Sequence, residues 1–281
     1  MIRPVNCAMM GFAVIVGASV VQVEMPSVSD AGLKLFLGFL TGFTLTGASM
    51  AINGYWDSEI DRINEPNRPI PSGLVSTSES LFLAAGLISI GLVAALMTNL
   101  PCLAIAILTL IVSVSYNTKG KQTGFLGNLL VSLCVSIPLI YGGFLIGAVL
   151  EPAALLFAML AFLACTGREV TKGIVDVEGD RDKNIGTIVV SYGEKAGAHV
   201  ASFFYVLASG LSLVPVYLKL VSFWFLPFVL VADVGFILVS LRLVRNHSRE
   251  NARRIKNLVL LWMMFALLAF IAGSVLKYPS F

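Results

Sequence analysis

Nine apolar segments, separated by polar ones, make up most of the chain. Each holds about the 20 mostly apolar residues that a helix needs to cross the hydrocarbon core of a bilayer. The pattern therefore predicts an all-α, polytopic membrane protein with nine transmembrane helices. The segments cover residues 7–24, 33–53, 79–98, 100–117, 124–147, 151–170, 197–217, 222–242 and 256–276.

Two of the connections between these segments are very short. They join the third segment to the fourth and the fifth to the sixth. Pro101 and Pro152 stand at the starts of the fourth and sixth segments, where a helix tolerates proline. We expect each of these two pairs of helices to be antiparallel neighbours.

Composition agrees with a membrane protein and excludes some other classes. The 281 residues are 57% hydrophobic and only 12% charged, whereas soluble domains carry about 25% charged residues. The mean hydropathy is +0.90. A net charge of +3 is too small to indicate a nucleic-acid partner, and four cysteines without C-x-x-C spacing imply neither a zinc site nor a disulfide framework.

Lysine and arginine are distributed unevenly between the two sides that nine spans create. With the N-terminus in the cytoplasm, sixteen of the 19 Lys and Arg residues fall in cytoplasmic segments. The other three are Lys34, Lys219 and Lys277. Because basic residues concentrate on the cytoplasmic side, we expect a multi-pass protein of the cell membrane whose N-terminus and acidic motifs are cytoplasmic.

The most polar interruption is residues 53–73, with the sequence NGYWDSEIDRINEPNRPIPSG. Asn53, Asp57 and Asp61 follow one another at four-residue intervals, so on a helix they would share one face. Two carboxylates one turn apart repel each other unless a cation lies between them. The alternative is a solvated loop that caps two helices.

A second copy of this pattern follows 119 residues later in the chain. D-x-E-x-D-R runs from Asp57 to Arg62 and again from Asp176 to Arg181. An acidic motif duplicated at equivalent places predicts one site at the interface of a pseudo-repeat. Carboxylate oxygens suit Mg²⁺, which keeps several waters and binds through one or two carboxylates plus phosphate oxygens.

The duplication also bears on the domain organisation. We expect a single transmembrane domain, 1–281, made of two repeated halves of about 1–123 and 124–281. The polar segments that follow the two motifs are long enough to form a small cap on the cytoplasmic side. Asp233 stands apart, because it falls inside the eighth apolar segment. It is either a functional carboxylate or one that is protonated or hydrogen-bonded to another helix.

Cationic residues accompany both motifs. Together with Mg²⁺, Lys and Arg side chains offset the charge of a diphosphate; the alternative is that they only set the topology. None is an obvious partner of the motif acids, and their number exceeds the need of one diphosphate, so we expect an acceptor with its own phosphate. The candidates are Arg68, Lys119, Lys121, Arg168 and Lys172, with Arg3 and Asn6 able to join from the side.

These motifs resemble the UbiA superfamily of intramembrane prenyltransferases. The resemblance rests on N-x-x-x-D-x-x-x-D from Asn53, on RINEPNRPIPSG, on Y-N-x-K-x-K from Tyr116, on GN at 127–128 and on D-x-x-x-D from Asp176. It implies nine helices around a central cavity, and Mg²⁺-dependent transfer of an isoprenoid from its diphosphate to an acceptor. Asp57 and Asp61 would then hold one Mg²⁺.

In the same reading Asp176 and Asp180 hold a second Mg²⁺, and Asn53 orients ligands or a water. The aromatic face of Tyr116 would stabilise cationic character at the isoprenoid. Lys119, Lys121 and the other cations would bind phosphate groups.

Within the superfamily, the motifs are most similar to the archaeal-type digeranylgeranylglyceryl phosphate synthases. That similarity implies geranylgeranyl diphosphate as donor and geranylgeranylglyceryl phosphate, a lipid-like acceptor, with formation of the second ether bond of archaeal membrane lipids. A prenyltransferase that acts on a quinone precursor or haem would share every metal residue. The chain lacks the motif that is expected of a CDP-alcohol phosphotransferase. A membrane transporter fits less well, because the acids lie at helix ends.

Overall fold

The computed structural model describes residues 1–21, 28–147 and 150–275, and every regular element in that part of the chain is helical. A short 3₁₀ turn, Gly120–Thr123, joins two of the long helices. The α-helices are α1 (Pro4–Ser19), α2 (Val28–Trp56), α3 (Ser58–Asn64), α4 (Thr77–Leu96), α5 (Leu100–Thr118), α6 (Phe125–Gly147), α7 (Pro152–Asp182), α8 (Ile188–Leu211), α9 (Val214–Tyr217), α10 (Phe225–Arg245) and α11 (Arg249–Val275).

Within the described residues, eight helices are long and apolar enough to cross a membrane, and α1 is a shorter apolar helix of 16 residues. Large apolar side chains on these helices are exposed, among them Phe82, Leu108 and Phe203. Exposed apolar surface of this extent is typical of contact with lipid. The multi-pass membrane protein is therefore confirmed. Nine spans stay a prediction, since the end of the first segment and Lys277 lie outside the described residues.

The sixth predicted apolar segment, 151–170, is part of a longer helix. Helix α7 continues to Asp182, and only residues 183–187 connect it to α8. Hydropathy marks where side chains become polar, whereas a helix continues for as long as its backbone hydrogen bonds do. The second acidic motif therefore lies on the last turns of a helix, and α8 begins as a short helical stretch that a kink at Gly193 (φ 85°) separates from its main part.

The end of α7 is held by local backbone geometry. Asn184 adopts a left-handed φ of 54°, and the Ile185 N–H donates to the Asp180 carbonyl at 2.8 Å, which together are typical of a Schellman motif. Gly124, at φ 64°, packs against the carbonyl of Gly186, where a Cβ atom would clash. The chain that follows the second motif is thereby pinned to the start of α6.

The chain divides into two compact units. Unit 1 consists of Met1–Gln122 and Ile137–Leu150, and unit 2 of Thr123–Ser136 and Glu151–Phe281. Each unit contains one of the two acidic motifs. Helix α6 contributes its first part to unit 2 and its second part to unit 1.

In unit 1, polar contacts hold α2 against α4 and α5. The Ser80 hydroxyl donates to the Ala51 carbonyl at 2.7 Å, and the hydroxyls of Ser49 and Ser113 lie 2.6 Å apart. All of these contacts lie within two turns of the first acidic motif. They tie the cytoplasm-facing end predicted for α2 to its neighbours, since hydrogen bonds between helices are favoured where no water competes.

In unit 2, α7 packs closely on α8. Gly167 lies against the ring of Tyr205, a fully buried residue, and the hydroxyls of Thr171 and Tyr205 lie 2.9 Å apart. Tyr205 also stacks on Phe236 of α10, with ring centroids 5.7 Å apart. Because Gly167 and Thr171 face α8, these contacts set the rotation of α7 about its axis.

Asp233 of α10 receives a hydrogen bond from another helical region of unit 2. The Ser212 hydroxyl, just after α8, donates to Asp233 Oδ2 at 2.7 Å. Of the alternatives for this carboxylate, the hydrogen bond between helices is the one that the structure contains.

Two candidate carboxylate sites

The first acidic motif lies where α2 passes into α3. Asp57 is the junction residue, and the repeat of hydrogen bonds continues through it: the Asp57 N–H donates to the Asn53 carbonyl at 2.8 Å, and the Asp61 N–H to the Asp57 carbonyl at 2.7 Å. The predicted four-residue repeat is therefore present. Both aspartates are buried, with 4% and 5% of their surface exposed, which excludes the alternative of a solvated loop.

Each of these buried carboxylates has a cationic partner. Lys121 Nζ lies 2.7 Å from Asp57 Oδ1, and Arg68 Nη1 lies 2.5 Å from Asp61 Oδ2. Lys121 comes from the 3₁₀ turn after α5. Arg68 closes a turn after α3, in which its N–H donates to the Glu65 carbonyl at 3.0 Å. Segments that are separate in sequence thus converge on the motif.

Burial governs the acidity of Asp61. Removal from water raises the pKa of its carboxyl, the nearby Arg68 guanidinium opposes that rise, and the Asp57 charge adds to it. A buried carboxylate of this kind is stabilised in its charged form by an adjacent cation. The first motif is thus an anionic pair whose charge is balanced by two basic side chains.

Asn53 is oriented by a residue that the sequence patterns did not select. Its Nδ2 donates to Asn117 Oδ1 at 2.9 Å, and Asn117 Nδ2 in turn donates to the Ser113 carbonyl at 2.9 Å. Asn117 is buried and belongs to the Y-N-x-K-x-K segment. A buried amide in the last turn of an otherwise apolar helix was the available signal.

The other predicted residues of unit 1 lie around this motif. The Arg3 N–H contacts Met50 Sδ at 3.4 Å, which brings the start of α1 within one turn of Asn53 on α2. Asn6 follows in the first turn of α1 and is half-buried. Tyr116 is half-buried in the last turn of α5, whereas Lys119 is exposed and forms no ion pair with the part of the chain that the structure describes.

The second motif is part of a longer polar stripe on α7. Arg168, Lys172, Asp176 and Asp180 follow one another at four-residue intervals, so they share one face of this uninterrupted helix. Asp180 is buried, and the Asp176 side chain is 16% exposed. Two cations therefore precede two acids along one face.

Glu169 joins the cations of this stripe and was missed by the sequence patterns. Its carboxylate lies 3.0 Å from Arg168 Nη1 and 3.7 Å from Lys172 Nζ, and only 7% of the residue is exposed. Lys172 Nζ also lies 3.9 Å from Asp176 Oδ2. The signal that could have found Glu169 is an acid between two bases within an apolar run.

The middle glutamate of each D-x-E-x-D-R motif is exposed. Glu178 is 62% exposed at its side chain and pairs with Arg249 of α11 at 2.6 Å. Glu59 is exposed as well. The duplicated pattern thus separates into buried or half-buried aspartates at four-residue spacing and exposed glutamates.

One expectation about the cations is wrong. We expected none of the five to be a partner of the motif acids, yet Lys121 contacts Asp57, Arg68 contacts Asp61 and Lys172 lies near Asp176. The sequence could not reveal these pairs because they depend on the path of the turns. The inference of a phosphate on the acceptor from a surplus of unpaired cations therefore loses most of its basis.

The carboxylate oxygens of the two motifs suit a hard metal cation that also binds the substrate of an enzyme. Each motif offers two carboxylates, and the described residues contain no group of three or more His, Cys, Asp or Glu side chains placed to enclose a metal. Mg²⁺ binds through one or two carboxylates and completes its octahedron with waters and phosphate oxygens. The residues present therefore fit Mg²⁺ carried with a phosphorylated ligand.

The described part of the chain is thus all-helical, with eight helices of membrane-spanning length and one aspartate pair in each of its two units. The sequence model of the UbiA prenyltransferase family matches residues 10–275, and the chain belongs to that family.

Similarity to individual proteins extends over nearly the whole chain. Digeranylgeranylglyceryl phosphate synthase of Archaeoglobus fulgidus is 34% identical over 270 residues, which cover 95% of this chain and 91% of that protein. A solved structure of a digeranylgeranylglyceryl phosphate synthase superimposes with a TM-score of 0.71 at 29% identity, covering 96% and 94% of the two chains. A UbiA homologue from Archaeoglobus fulgidus bound to DMAPP and Mg²⁺ shares the fold, with a TM-score of 0.64 at 17% identity and 95% of each chain covered.

Proposed function

We propose that this prenyltransferase transfers a geranylgeranyl group from geranylgeranyl diphosphate to geranylgeranylglyceryl phosphate and thereby forms the second ether bond of archaeal membrane lipids. The observation that carries the proposal is the two aspartate pairs with basic partners, in a chain of the UbiA family. The similarity to digeranylgeranylglyceryl phosphate synthases supports the choice of donor and acceptor.

The proposed cofactor is Mg²⁺, held by Asp57 and Asp61 in unit 1 and by Asp176 and Asp180 in unit 2. When bound, it supplies positive charge that stabilises the departing diphosphate. The UbiA homologue that holds DMAPP together with Mg²⁺ supports this assignment. Asn53, fixed by its bond to Asn117, is proposed to orient a ligand or a water.

The basic residues are proposed to bind phosphate groups in the same reaction. The allylic C1–O bond of the donor breaks, the hydroxyl oxygen of the acceptor bonds to C1, and diphosphate and the hydroxyl proton are the other products. Tyr116 would face the developing carbocation, and apolar helix walls would exclude water that could trap it. The phosphate-binding candidates are Arg3, Asn6, Arg68, Lys119, Lys121, Arg168 and Lys172.

We also propose the finer architecture that the apolar pattern predicts. It comprises nine transmembrane helices around a central cavity, in one domain, 1–281, with repeated halves of about 1–123 and 124–281. The N-terminus and the aspartates lie on the cytoplasmic side, with a small cap there. Support comes from the apolar character of α1, the presence of one motif in each unit and the excess of basic residues on one predicted side.

The test is an acceptor panel with the purified full-length chain in detergent. Radiolabelled geranylgeranyl diphosphate is mixed with Mg²⁺ and with geranylgeranylglyceryl phosphate, a quinone precursor or haem. We expect acceptor-dependent diphosphate release and a labelled ether lipid only with the glyceryl phosphate. Labelled product from the quinone precursor or haem alone would contradict the proposal and assign the enzyme to that acceptor class. Loss of product with EDTA and its recovery with Mg²⁺ tests the cofactor.

A further inference from the structure

We propose that Glu169 is a positioning residue that holds Arg168 and Lys172 together as a two-cation binding site for a phosphate group. The inference rests on the proposed function, because that function supplies a phosphorylated substrate. The inference goes beyond that function because Glu169 belongs to neither acidic motif. The ligand chemistry is a phosphate oxygen, from either the donor diphosphate or the phosphate of the acceptor.

The geometry at Glu169 is not the ordinary outcome of helical spacing. Neighbouring residues on a helix point in different directions, yet Arg168 Nη1 reaches Glu169 Oε1 at 3.0 Å. Glu169 Oε2 lies 3.7 Å from Lys172 Nζ, three residues further on. One carboxylate thus contacts both bases with its two oxygens. Glu169 thereby holds the Arg168 guanidinium and the Lys172 ammonium close to one another, next to the polar face of α7.

The charges and the burial of this group leave room for an anion. Glu169 is buried and the side chains of Arg168 and Lys172 are 11% and 24% exposed. Asp176 Oδ2 lies 3.9 Å from Lys172 Nζ as well. Once Asp176 holds Mg²⁺ as proposed, Glu169 is the one acid between the two bases, and the group keeps a net positive charge. Burying a charge is costly unless it is compensated. An anion next to these two cations therefore gains a strong, directional interaction.

An unpaired donor in the same group points to a ligand. Arg168 Nε is buried and has no hydrogen-bond partner among the described residues. A guanidinium presents its N–H groups as a planar fork that matches the oxygens of a phosphate. With Nη1 committed to Glu169, the Nε–H is available to a phosphate oxygen. Buried donors without a partner are rare and call for an explanation.

A purely structural ion pair is the competing account, and the packing of α7 argues against it. The rotation of α7 is already set by Gly167 and by the hydroxyls of Thr171 and Tyr205, all on its contact with α8. A buried ion pair contributes little to stability compared with apolar packing. Glu169 is therefore not required to orient the helix, and its contacts with both bases leave it the role of fixing where their charged groups lie along the shared face.

The experiment compares Glu169→Gln with Glu178→Gln, a matched change on the same helix at an acid that pairs outward with Arg249. KM for donor and acceptor and kcat are measured separately for the full-length chain with geranylgeranyl diphosphate and geranylgeranylglyceryl phosphate. For Glu169→Gln we expect KM of one substrate to rise about tenfold or more, with kcat changed less. Glu178→Gln should leave both KM values within about twofold.

The substrate whose KM rises identifies the source of the phosphate. A selective rise for the donor assigns the group to the diphosphate, and a selective rise for the acceptor assigns it to the glyceryl phosphate; either supports the proposal. Glu169→Asp retains the charge and should recover part of the lost affinity. If Glu169→Gln lowers the unfolding temperature but leaves both KM values within about twofold, the structural account is correct and the proposal fails.

A binding measurement separates this proposal from the proposed function. Isothermal titration with inorganic diphosphate, and with inorganic phosphate, requires no turnover and therefore remains informative if neither substrate reacts. We expect Glu169→Gln and Lys172→Met each to weaken anion binding about tenfold, and the double variant to weaken it little further, because the two residues act as one unit. Equal anion affinity in wild type and both single variants would overturn the proposal, whichever acceptor the enzyme uses.

Discussion

Lys121 Nζ lies 2.7 Å from Asp57 Oδ1, which joins the 3₁₀ turn after α5 to the junction of α2 and α3. The Lys121 side chain is 19% exposed and that of Asp57 is 5% exposed. The contact neutralises a buried carboxylate at the residue that lies between α2 and α3. It also brings a base from the Y-N-x-K-x-K segment onto the first acidic motif, so the two sequence motifs form one structural site.

The buried aspartates and the exposed glutamates of the motifs should differ sharply on substitution. Asp57→Asn should lower turnover about 100-fold or more, because a buried carboxylate and its pairing with Lys121 are both lost. Glu59→Gln, an exposed acid two residues away, should retain turnover within about threefold. Initial rates of diphosphate release at saturating Mg²⁺ provide the measurement. Equal losses in the two variants would contradict the assignment of the motif's functional face to the aspartates.

Asn53 and Asn117 should be energetically coupled through their side-chain hydrogen bond. Each single alanine variant should lower the free energy of unfolding by about 1–3 kcal/mol, because it removes the hydrogen bond of a partner that is buried (Asn117) or half-buried (Asn53). The double variant should be less destabilised than the sum of the two, with a coupling energy of about 0.5–2 kcal/mol. Thermal or denaturant unfolding in detergent completes the cycle, and strictly additive losses would show that the bond contributes nothing.

Gly124 should tolerate alanine poorly. Its left-handed φ costs an L-residue roughly 1–2 kcal/mol, and the added Cβ atom would meet the Gly186 carbonyl. Gly86→Ala is the matched control, because Gly86 lies inside α4 with open space around it. Helix propensity predicts that this control is neutral or stabilising by about 0.5–1 kcal/mol. Unfolding temperatures of the two variants, compared with wild type, should move in opposite directions or at least differ clearly.

The proposed topology places Arg62 on the cytoplasmic side and Tyr217 on the other. Both positions are exposed, so a cysteine at either is accessible to reagents. In a background without the four native cysteines, a membrane-impermeant maleimide added to sealed inverted vesicles should label Arg62→Cys but not Tyr217→Cys. Right-side-out vesicles should give the reverse. Labelling of Arg62→Cys from the outer side would overturn the orientation and the predicted location of the aspartates.

The sequence determined those features that depend on neighbouring positions along the chain. Apolar runs of membrane-spanning length predicted the eight long helices of the described residues, although not the short α3 and α9, since burial in lipid needs only hydrophobicity and length. Four-residue spacing placed Asp57 and Asp61 on one face, and the structure retains this through the junction. The duplicated motif and its companions also indicated the UbiA family, because these residue types at these spacings are local information.

Tertiary structure decided which distant side chains meet. Lys121 reaches Asp57 because a 3₁₀ turn directs it there, and Asn117 reaches Asn53 because α5 packs on α2. Glu169 joins Arg168 through a rotamer that no spacing rule predicts. Periodicity along a chain specifies the face on which a residue lies, whereas packing between helices selects the partner that faces it.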